Sequence, residues 1–213
     1  MIRRPPRSTL DRSSAASDVY KRQAQYHVDK HIVKMPLEAA QLLCTAVWVD
    51  EVLGFVPRAL NKEESKVLNE EKAKIKHLPL EERPLTPYLP MMYNHPCTIW
   101  TRSSLDNFEW VHCYANALND EYYYRYGKLH KSVMEVVNKL PEPKNMPRLG
   151  QTPFGMAMPD ELKDEDDVVG SYRLYYHTDK ATFAKWSHRD LSLIHISEPT
   201  RRRGISYAVF CLK

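Results

Sequence analysis

The amino-acid sequence predicts a mainly α protein: a single compact helical domain with long proline-rich loops. Apolar residues recur at steps of three or four over several long segments, which is the period of an amphipathic helix. No segment shows the strict alternation of apolar and polar residues that is typical of a half-buried strand. Most of the 15 prolines lie between the helical segments, where their fixed φ and missing N–H favour loops.

Both ends of the 213-residue chain match translated sequencing adapters. Residues 13–23 read SSAASDVYKRQ, and the last six are the translation of GAT GTG TAT AAG AGA CAG, the end of a transposase adapter used in DNA library preparation. Residues 191–201, LSLIHISEPTR, match the reverse complement of the paired adapter. Such segments are left out of fold reasoning. We therefore expect a disordered adapter-derived tail over 1–23, a helical domain over 24–190 and a second adapter-derived tail over 191–213.

The net charge changes sign when these two tails are set aside. The whole chain has 31 Lys and Arg against 27 Asp and Glu, a formal charge of +4. The tails hold ten of the basic and three of the acidic residues, which leaves 21 basic and 24 acidic residues, a net charge of −3, in residues 24–190. The charge of the domain therefore disfavours a broad nucleic-acid-binding surface, and only local basic clusters remain candidates.

Several other kinds of site are disfavoured by composition. Only 6 glycines are present and neither G-x-G-x-x-G nor G-x-x-x-x-G-K-[ST] occurs, so no glycine-rich phosphate loop is expected. No apolar run approaches the roughly 20 residues of a membrane span. The four cysteines form no C-x-x-C pair, which suits a reducing cytosol and gives no zinc signature. We expect no cofactor, no metal and no membrane, and the sequence does not indicate an oligomeric state.

The first predicted helix covers residues 29–53. Its apolar stripe consists of Ile32, Met35, Ala39, Leu42, Leu43, Ala46, Val49 and Leu53. A second line at helical spacing consists of His31, Lys34, Glu38, Gln41 and Thr45. Pro36 interrupts the segment, and because proline lacks an N–H and clashes with the preceding turn, we expect a kink or a helix that begins near Met35.

Residues 54–90 are predicted to be a charged, proline-rich insertion, either a solvated helix or a mobile segment. A second helix is expected after Ser103 or Ser104, either of which is a plausible N-cap, and it continues to Gly127. Its predicted inner face consists of Leu105, Phe108, Val111, Ala115, Leu118 and Tyr122. Further helical runs are expected over 131–140 and 167–176, with a loop over 141–153 between them.

Glu38 and His31 are the candidate catalytic residues. A carboxylate held near Lys34 and His31 on one helix face can have a shifted pKa, act as a general acid or base, or stabilise a cation. An ordinary surface pair four residues apart explains the same spacing, and spacing alone favours it. His27 and His31 are also spaced to bind a metal, but the H-E-x-x-H pattern is missing, and polar contacts are the favoured interpretation.

Aromatic residues interleaved with Lys and Arg predict a nucleic-acid groove, because bases stack on rings and cations contact phosphates. The candidate nucleic-acid-binding residues are Lys34, His95, Trp100, Arg102, Arg125, Arg173, Tyr176 and Lys180. The alternative is that the rings pack inward and the cations are solvated. His95 in the turn Asn94-His95-Pro96 is also well placed to cap a helix.

Three motifs carry a resemblance to a known family: DKHIVKMPLEAAQLL from Asp29, N-H-P-x₃-W from Asn94 and E-Y-x-x-R-Y from Glu121. They are similar to a group of conserved phage proteins of uncertain role. More distantly they resemble the pyrimidine-dimer DNA glycosylase (phage endonuclease V) family. Asp29 and Glu38 have that family's D-x₈-E spacing, His31 matches its histidine, and the segment from Tyr172 to Lys180 resembles its aromatic-basic C-terminal part.

The resemblance implies a phage-type protein that acts on DNA in the bacterial or phage-infected cytoplasm. In such an enzyme the α-amine attacks the sugar of a flipped-out damaged pyrimidine, the carboxylate corresponding to Glu38 stabilises the cationic intermediate, and His31 contacts DNA. Leu37 and Gln41 stand where the family has arginines, and the domain is acidic. The chain as written, without the family's N-terminus, is therefore expected to be inactive. A non-catalytic nucleic-acid-binding or protein-binding phage module is the alternative.

Overall fold

The computed structural model describes residues 19–191, and this part of the chain is mainly α and contains no strand, as predicted. A first helical segment, α1, covers 19–26. The other α-helices are α2 (Asp29–Leu53), α3 (Lys62–Ile75), α4 (Pro96–Thr101), α5 (Leu105–Tyr126) and α6 (Val168–Tyr175). Short 3₁₀ turns lie at Leu80–Glu82, Val137–Lys139, Asp160–Leu162 and Ala181–Phe183, and π turns at Ser132–Val136 and Tyr176–Lys180.

The long helix α2 lies at the centre of the fold, packed against α3, α4, α5 and the Ser132–Val136 turn. The predicted apolar stripe is buried except at the partly exposed Leu53, but the polar line is largely buried too: Glu38 is 4% exposed and Thr45 is fully buried. Elements on several sides of α2 cover both lines. The helix begins at Asp29 and runs through Pro36, so the alternative start near Met35 is wrong.

By length and composition α2 is also the one helix in residues 19–191 that could cross a membrane. In the fold, 78% of its most apolar window is buried against the rest of the protein. The buried core helix of a soluble protein meets the same criteria of length and composition.

Helix α5 is bounded by the residues that the sequence predicts. The Ser104 side chain accepts a hydrogen bond from the Asp106 N–H at the N-cap, and Gly127 ends the helix in the left-handed region with φ 67°. These caps satisfy N–H and carbonyl groups that have no partner within the helix. The inner face buries Phe108, Val111 and their neighbours against α2.

The insertion contains a solvated helix, α3, with one buried side chain. Asn61 and Glu64 form a reciprocal capping box at the start of α3, and Leu68 is the only buried residue of this helix. Leu68 joins Trp48 and Leu60 in a small apolar cluster against the C-terminal half of α2. Of the two alternatives for the insertion, the solvated helix is therefore the one observed.

The packed part of the chain reaches further toward the N-terminus than the sequence indicates. Residues 19–23, expected to be disordered, lie within α1. Gln23 is 4% exposed, and the Tyr20 ring packs edge-on against Trp110 with centroids 5.6 Å apart. The difference has a packing reason, because the helical turn carries Tyr20 onto an aromatic cluster of the core. The remaining tail residues, 1–18 and 192–213, lie outside the described residues.

The segment 168–189, called here the C-terminal segment, folds back over the N-terminal end of α2. Its tyrosines Tyr172, Tyr175 and Tyr176 form an apolar cluster with Val28. The Trp186 indole N–H donates to the backbone carbonyl of Tyr26 at the end of α1, and the Ser187 N–H donates to the carboxylate of Asp29 at the start of α2. This return brings residues more than 140 positions apart to one place, which is where the candidate site lies.

Candidate functional site

A hydrogen-bonded run of four buried side chains joins α2, α5 and the C-terminal segment. The Tyr114 hydroxyl bonds with His27 Nε2, and His27 Nδ1 lies 3.1 Å from the Tyr176 hydroxyl. The same hydroxyl lies 2.5 Å from His31 Nδ1. One phenol therefore bridges two imidazoles that come one turn apart in the chain.

Burial keeps both histidines neutral at physiological pH. Burial lowers the pKa of His27 well below its usual range, and the neighbouring His31 and Arg125 lower it further. Burial is also the main reason that the pKa of His31 falls to about 4, with contributions from Lys180 and Lys34. Each ring then offers one N–H donor and one acceptor nitrogen.

A small basic face surrounds the outer edge of His31. Phe183 packs edge-on against the His31 ring, with centroids 5.7 Å apart. The Lys30 ammonium lies 5.2 Å and the Lys180 ammonium 5.9 Å from the Phe183 ring centroid. Lys34, exposed on the next turn of α2, is close enough to act electrostatically on His31. We call Lys30, Lys34, Lys180 and Phe183 the basic face.

Glu38 lies beside this face as a nearly buried carboxylate. Its Oε1 is 2.6 Å from the ammonium of Lys34, whose side chain is 51% exposed. The predicted catalytic residues Glu38 and His31 therefore lie within two turns of α2, with Lys34 between them. His31 directs its Nδ1 inward to Tyr176, so it does not present that nitrogen to a ligand.

Two of the predicted nucleic-acid contacts are part of the interior. The Trp100 ring is 4% exposed, donates from its indole N–H to the Thr152 carbonyl and packs on Phe154. Arg102 is 1% exposed and donates to three backbone carbonyls, those of Val56, Arg58 and Tyr93. These side chains fix the insertion and the loops, so they are removed from the candidate interface.

Arg125 and Tyr176 are also buried and engaged. The Arg125 guanidinium is ion-paired with Asp29 and Glu121 and donates to the Gln25 carbonyl. Its 4% exposure leaves no surface for a phosphate. Tyr176 is 1% exposed, and its hydroxyl is hydrogen-bonded to both histidines. The alternative interpretation, in which aromatic rings pack inward, fits these residues better.

The other predicted residues divide between capping and surface positions. His95 caps α4, its Nδ1 accepting from the Cys97 N–H, as the alternative interpretation predicts. Arg173 is partly exposed on α6. Lys34 and Lys180 belong to the basic face. Sequence reasoning missed Lys30, although it lies four residues before Lys34 and therefore on the same helix face.

No group of three or more His, Cys, Asp or Glu side chains suited to a metal ion occurs in residues 19–191. His27 and His31 instead direct nitrogens at a shared phenol. No protein-family model, curated protein or solved structure matches the chain. Functional assignment therefore depends on the geometry of the side chains described above.

Proposed function

We propose that this protein binds DNA through the basic face. The observation that carries the proposal is the convergence of Lys30, Lys34 and Lys180, from two separate parts of the chain, around one partly exposed aromatic ring, Phe183. Ammonium groups contact phosphates, and a ring between them can stack on an unpaired base. A phage-type origin and a site in the bacterial or phage-infected cytoplasm remain predictions that accompany this proposal.

The small size of the basic face sets the expected strength of binding. Three lysines neutralise at most three phosphates, so the logarithm of the duplex binding constant should fall with the logarithm of salt concentration with a slope of about −3. Single strands should give a slope of about −2. Residues 24–190 have a net charge of −3, which disfavours DNA contact over a broad surface.

Fluorescence anisotropy with labelled single-stranded and duplex oligonucleotides over a salt series tests the proposal. Lys30→Gln and Lys180→Gln should each weaken binding about tenfold at 0.1 M salt and reduce the slope by about one. Lys74→Gln is the matched control, since Lys74 is exposed on α3, away from the basic face. Equal losses in all three variants, or binding without salt dependence, would show that the basic face is not the interface.

Base excision is the second candidate function, and the Lys34–Glu38 pair favours it. In this chemistry an amine attacks the sugar C1′ and the base leaves with the electrons of the glycosidic bond. The C1′–O4′ bond then opens as O4′ takes up a proton, which leaves nitrogen and C1′ joined as an iminium. Loss of the C2′ proton then expels the 3′ phosphate. Lys34 supplies a primary amine at the surface, and Glu38 is positioned to take the proton that the ammonium must lose before its lone pair attacks.

Borohydride trapping separates this second candidate from binding alone. The full chain is incubated with duplex carrying either an ultraviolet-induced pyrimidine dimer or an abasic site, and borohydride then reduces any iminium to a stable covalent adduct. Lys34→Arg should abolish the adduct and Glu38→Gln should reduce it, while Lys74→Arg leaves it unchanged. Absence of an adduct with the unaltered chain, or its persistence in Lys34→Arg, refutes base excision through this pair and leaves DNA binding to be judged on the anisotropy.

A further inference from the structure

The C-terminal segment is held on the core at a buried central point and at its far end. At its end, Trp186 donates to the Tyr26 carbonyl and Arg189 pairs with Glu121. At its centre, the Tyr176 hydroxyl bonds both imidazoles of the buried run. The central attachment is the one that uses histidines, whose ordinary pKa of about 6.5 lies closest to neutrality, so it is the attachment expected to respond first to mild acid.

The buried run is fully satisfied when its histidines are neutral and loses an acceptor when both are protonated. With neutral rings the donors follow one direction: Tyr114 donates to His27 Nε2, His27 Nδ1–H to Tyr176, and Tyr176 to His31 Nδ1. Donation in the reverse direction, from His31 toward Tyr114, is equally consistent with these contacts. When both histidines are protonated, both Nδ1 atoms become donors aimed at the same hydroxyl, and the hydroxyl proton has no acceptor in the run. The phenol can then accept from both imidazolium ions only if its own proton is left without a partner in the run.

The charged groups around the run oppose protonation from each side. Lys34 of α2 and Lys180 of the C-terminal segment act on His31, and Arg125 of α5 acts on His27. The two histidine rings lie 5.6 Å apart, so each imidazolium also repels the other. The nearby carboxylates form ion pairs with these cations: Asp29 and Glu121 with Arg125, and Glu38 with Lys34.

We propose that His27, Tyr176 and His31 form an acid-sensitive latch that holds the C-terminal segment on α2 and α5 at neutral pH and releases it on acidification. Release exposes the imidazoles to water, where they accept protons without losing a buried partner. Because the segment carries Lys180 and Phe183, release also dismantles the basic face. That last consequence rests on the proposed function, whereas the latch itself does not.

The sign and size of the effect follow from the two protonation equilibria. A histidine that is exposed takes up a proton near pH 6.5, whereas latched His31, with a pKa of about 4, stays neutral well below that. The opening constant of the segment therefore rises as the pH falls between these values. His31 alone raises it on the order of 100-fold between pH 7 and pH 4, and His27 adds to the rise.

Hydrogen–deuterium exchange of the full chain over pH 7 to 4.5, expressed as protection factors corrected for intrinsic exchange, tests the latch. Peptides from Val168–Tyr175 and the following π turn should lose protection as the pH falls, while peptides from α5 keep theirs. His31→Asn keeps an acceptor near the position of Nδ1 but cannot titrate, so it should retain protection at pH 7 and respond less steeply to pH. His95→Asn is the matched control, because His95 also accepts through Nδ1 but lies at the α4 cap.

Three results would overturn the latch. Unchanged protection of the C-terminal segment between pH 7 and 4.5 would exclude it. Loss of protection in α5 at the same pH would mean global acid unfolding. An equally steep response in His31→Asn and in the His95→Asn control would assign the pH dependence to other groups. If the His31→Asn variant does not fold, the first two results, which use the unaltered chain, still decide, and both are independent of DNA binding.

Discussion

Arg102→Met should destabilise the protein through the loss of three buried hydrogen bonds. The guanidinium Nε lies 2.9 Å from the Val56 carbonyl oxygen, and its two terminal nitrogens lie 2.6 Å from the carbonyl oxygens of Tyr93 and Arg58. All three acceptors belong to the connection between α2 and α4. One side chain at the end of α4 therefore closes the loop that contains α3.

The expected loss is the difference between two opposing terms. Hydrogen bonds to a charged donor contribute about 1.5–3 kcal/mol each, or about 4–9 kcal/mol for three. Against this, burial lowers the pKa of Arg102 to about 10, which corresponds to a cost of about 3 kcal/mol for keeping the cation in the interior. Methionine removes both terms and fills part of the volume. We expect a net loss of about 1–6 kcal/mol, centred near 3 kcal/mol.

Urea unfolding followed by tryptophan fluorescence measures this loss as a change in the free energy of unfolding. Arg148→Met is the matched control, because Arg148 forms an exposed pair with Glu109 and such pairs contribute about 0–1 kcal/mol. Arg102→Lys should also be destabilised, since an ammonium cannot reach three carbonyls arranged for a guanidinium fork. A loss below 1 kcal/mol in Arg102→Met, or one equal to that of the control, would refute the reasoning and return Arg102 to the candidate interface.

Three smaller effects are expected elsewhere in the fold, each measured by the same urea titration. Asn61→Ala removes the Oδ1 that accepts a hydrogen bond from the Glu64 N–H at the start of α3 and leaves the backbone N–H of residue 61 bonded to the Glu64 carboxylate. The loss should cost about 1 kcal/mol, and an unchanged midpoint would contradict this. Gly127→Ala should lower the free energy of unfolding by about 1 kcal/mol through the left-handed φ alone, since no atom lies within 4 Å of an added Cβ. Gly127→Asn should recover part of the loss. Asp50→Ala leaves two N–H groups in 144–145 without their acceptor, which should cost about 1–3 kcal/mol, and stability equal to that of the unaltered chain would count against this role.

The helices and their caps were predictable because their causes lie within a few residues. Apolar periodicity located α2 and α5, and Ser104 and Gly127 mark the ends of α5 through local chemistry that is visible in the sequence. Whether the charged and aromatic side chains are buried or exposed was not predictable in the same way. Whether Arg102 or Arg125 meets water depends on carbonyls and carboxylates from distant segments, which only the folded chain brings together.

The candidate site was predicted in part. Lys34 and Lys180 lie on the basic face, and Glu38 and His31 lie beside it. The pairing of the two histidines through Tyr176 was missed, because a spacing of four residues indicates only a shared helix face. It gives no information about a phenol from a segment nearly 150 residues later.

The central position of α2 has a consequence for how the chain is made. Its longest partner, α5, is completed only at Tyr126, about 70 residues after α2 itself has been synthesised. At synthesis rates of about 5–20 residues per second, this leaves the most apolar helix without its main partner for roughly 4–15 s. The nascent chain therefore presents much of α2 to chaperones and other receptors of apolar segments before its main partner can cover it.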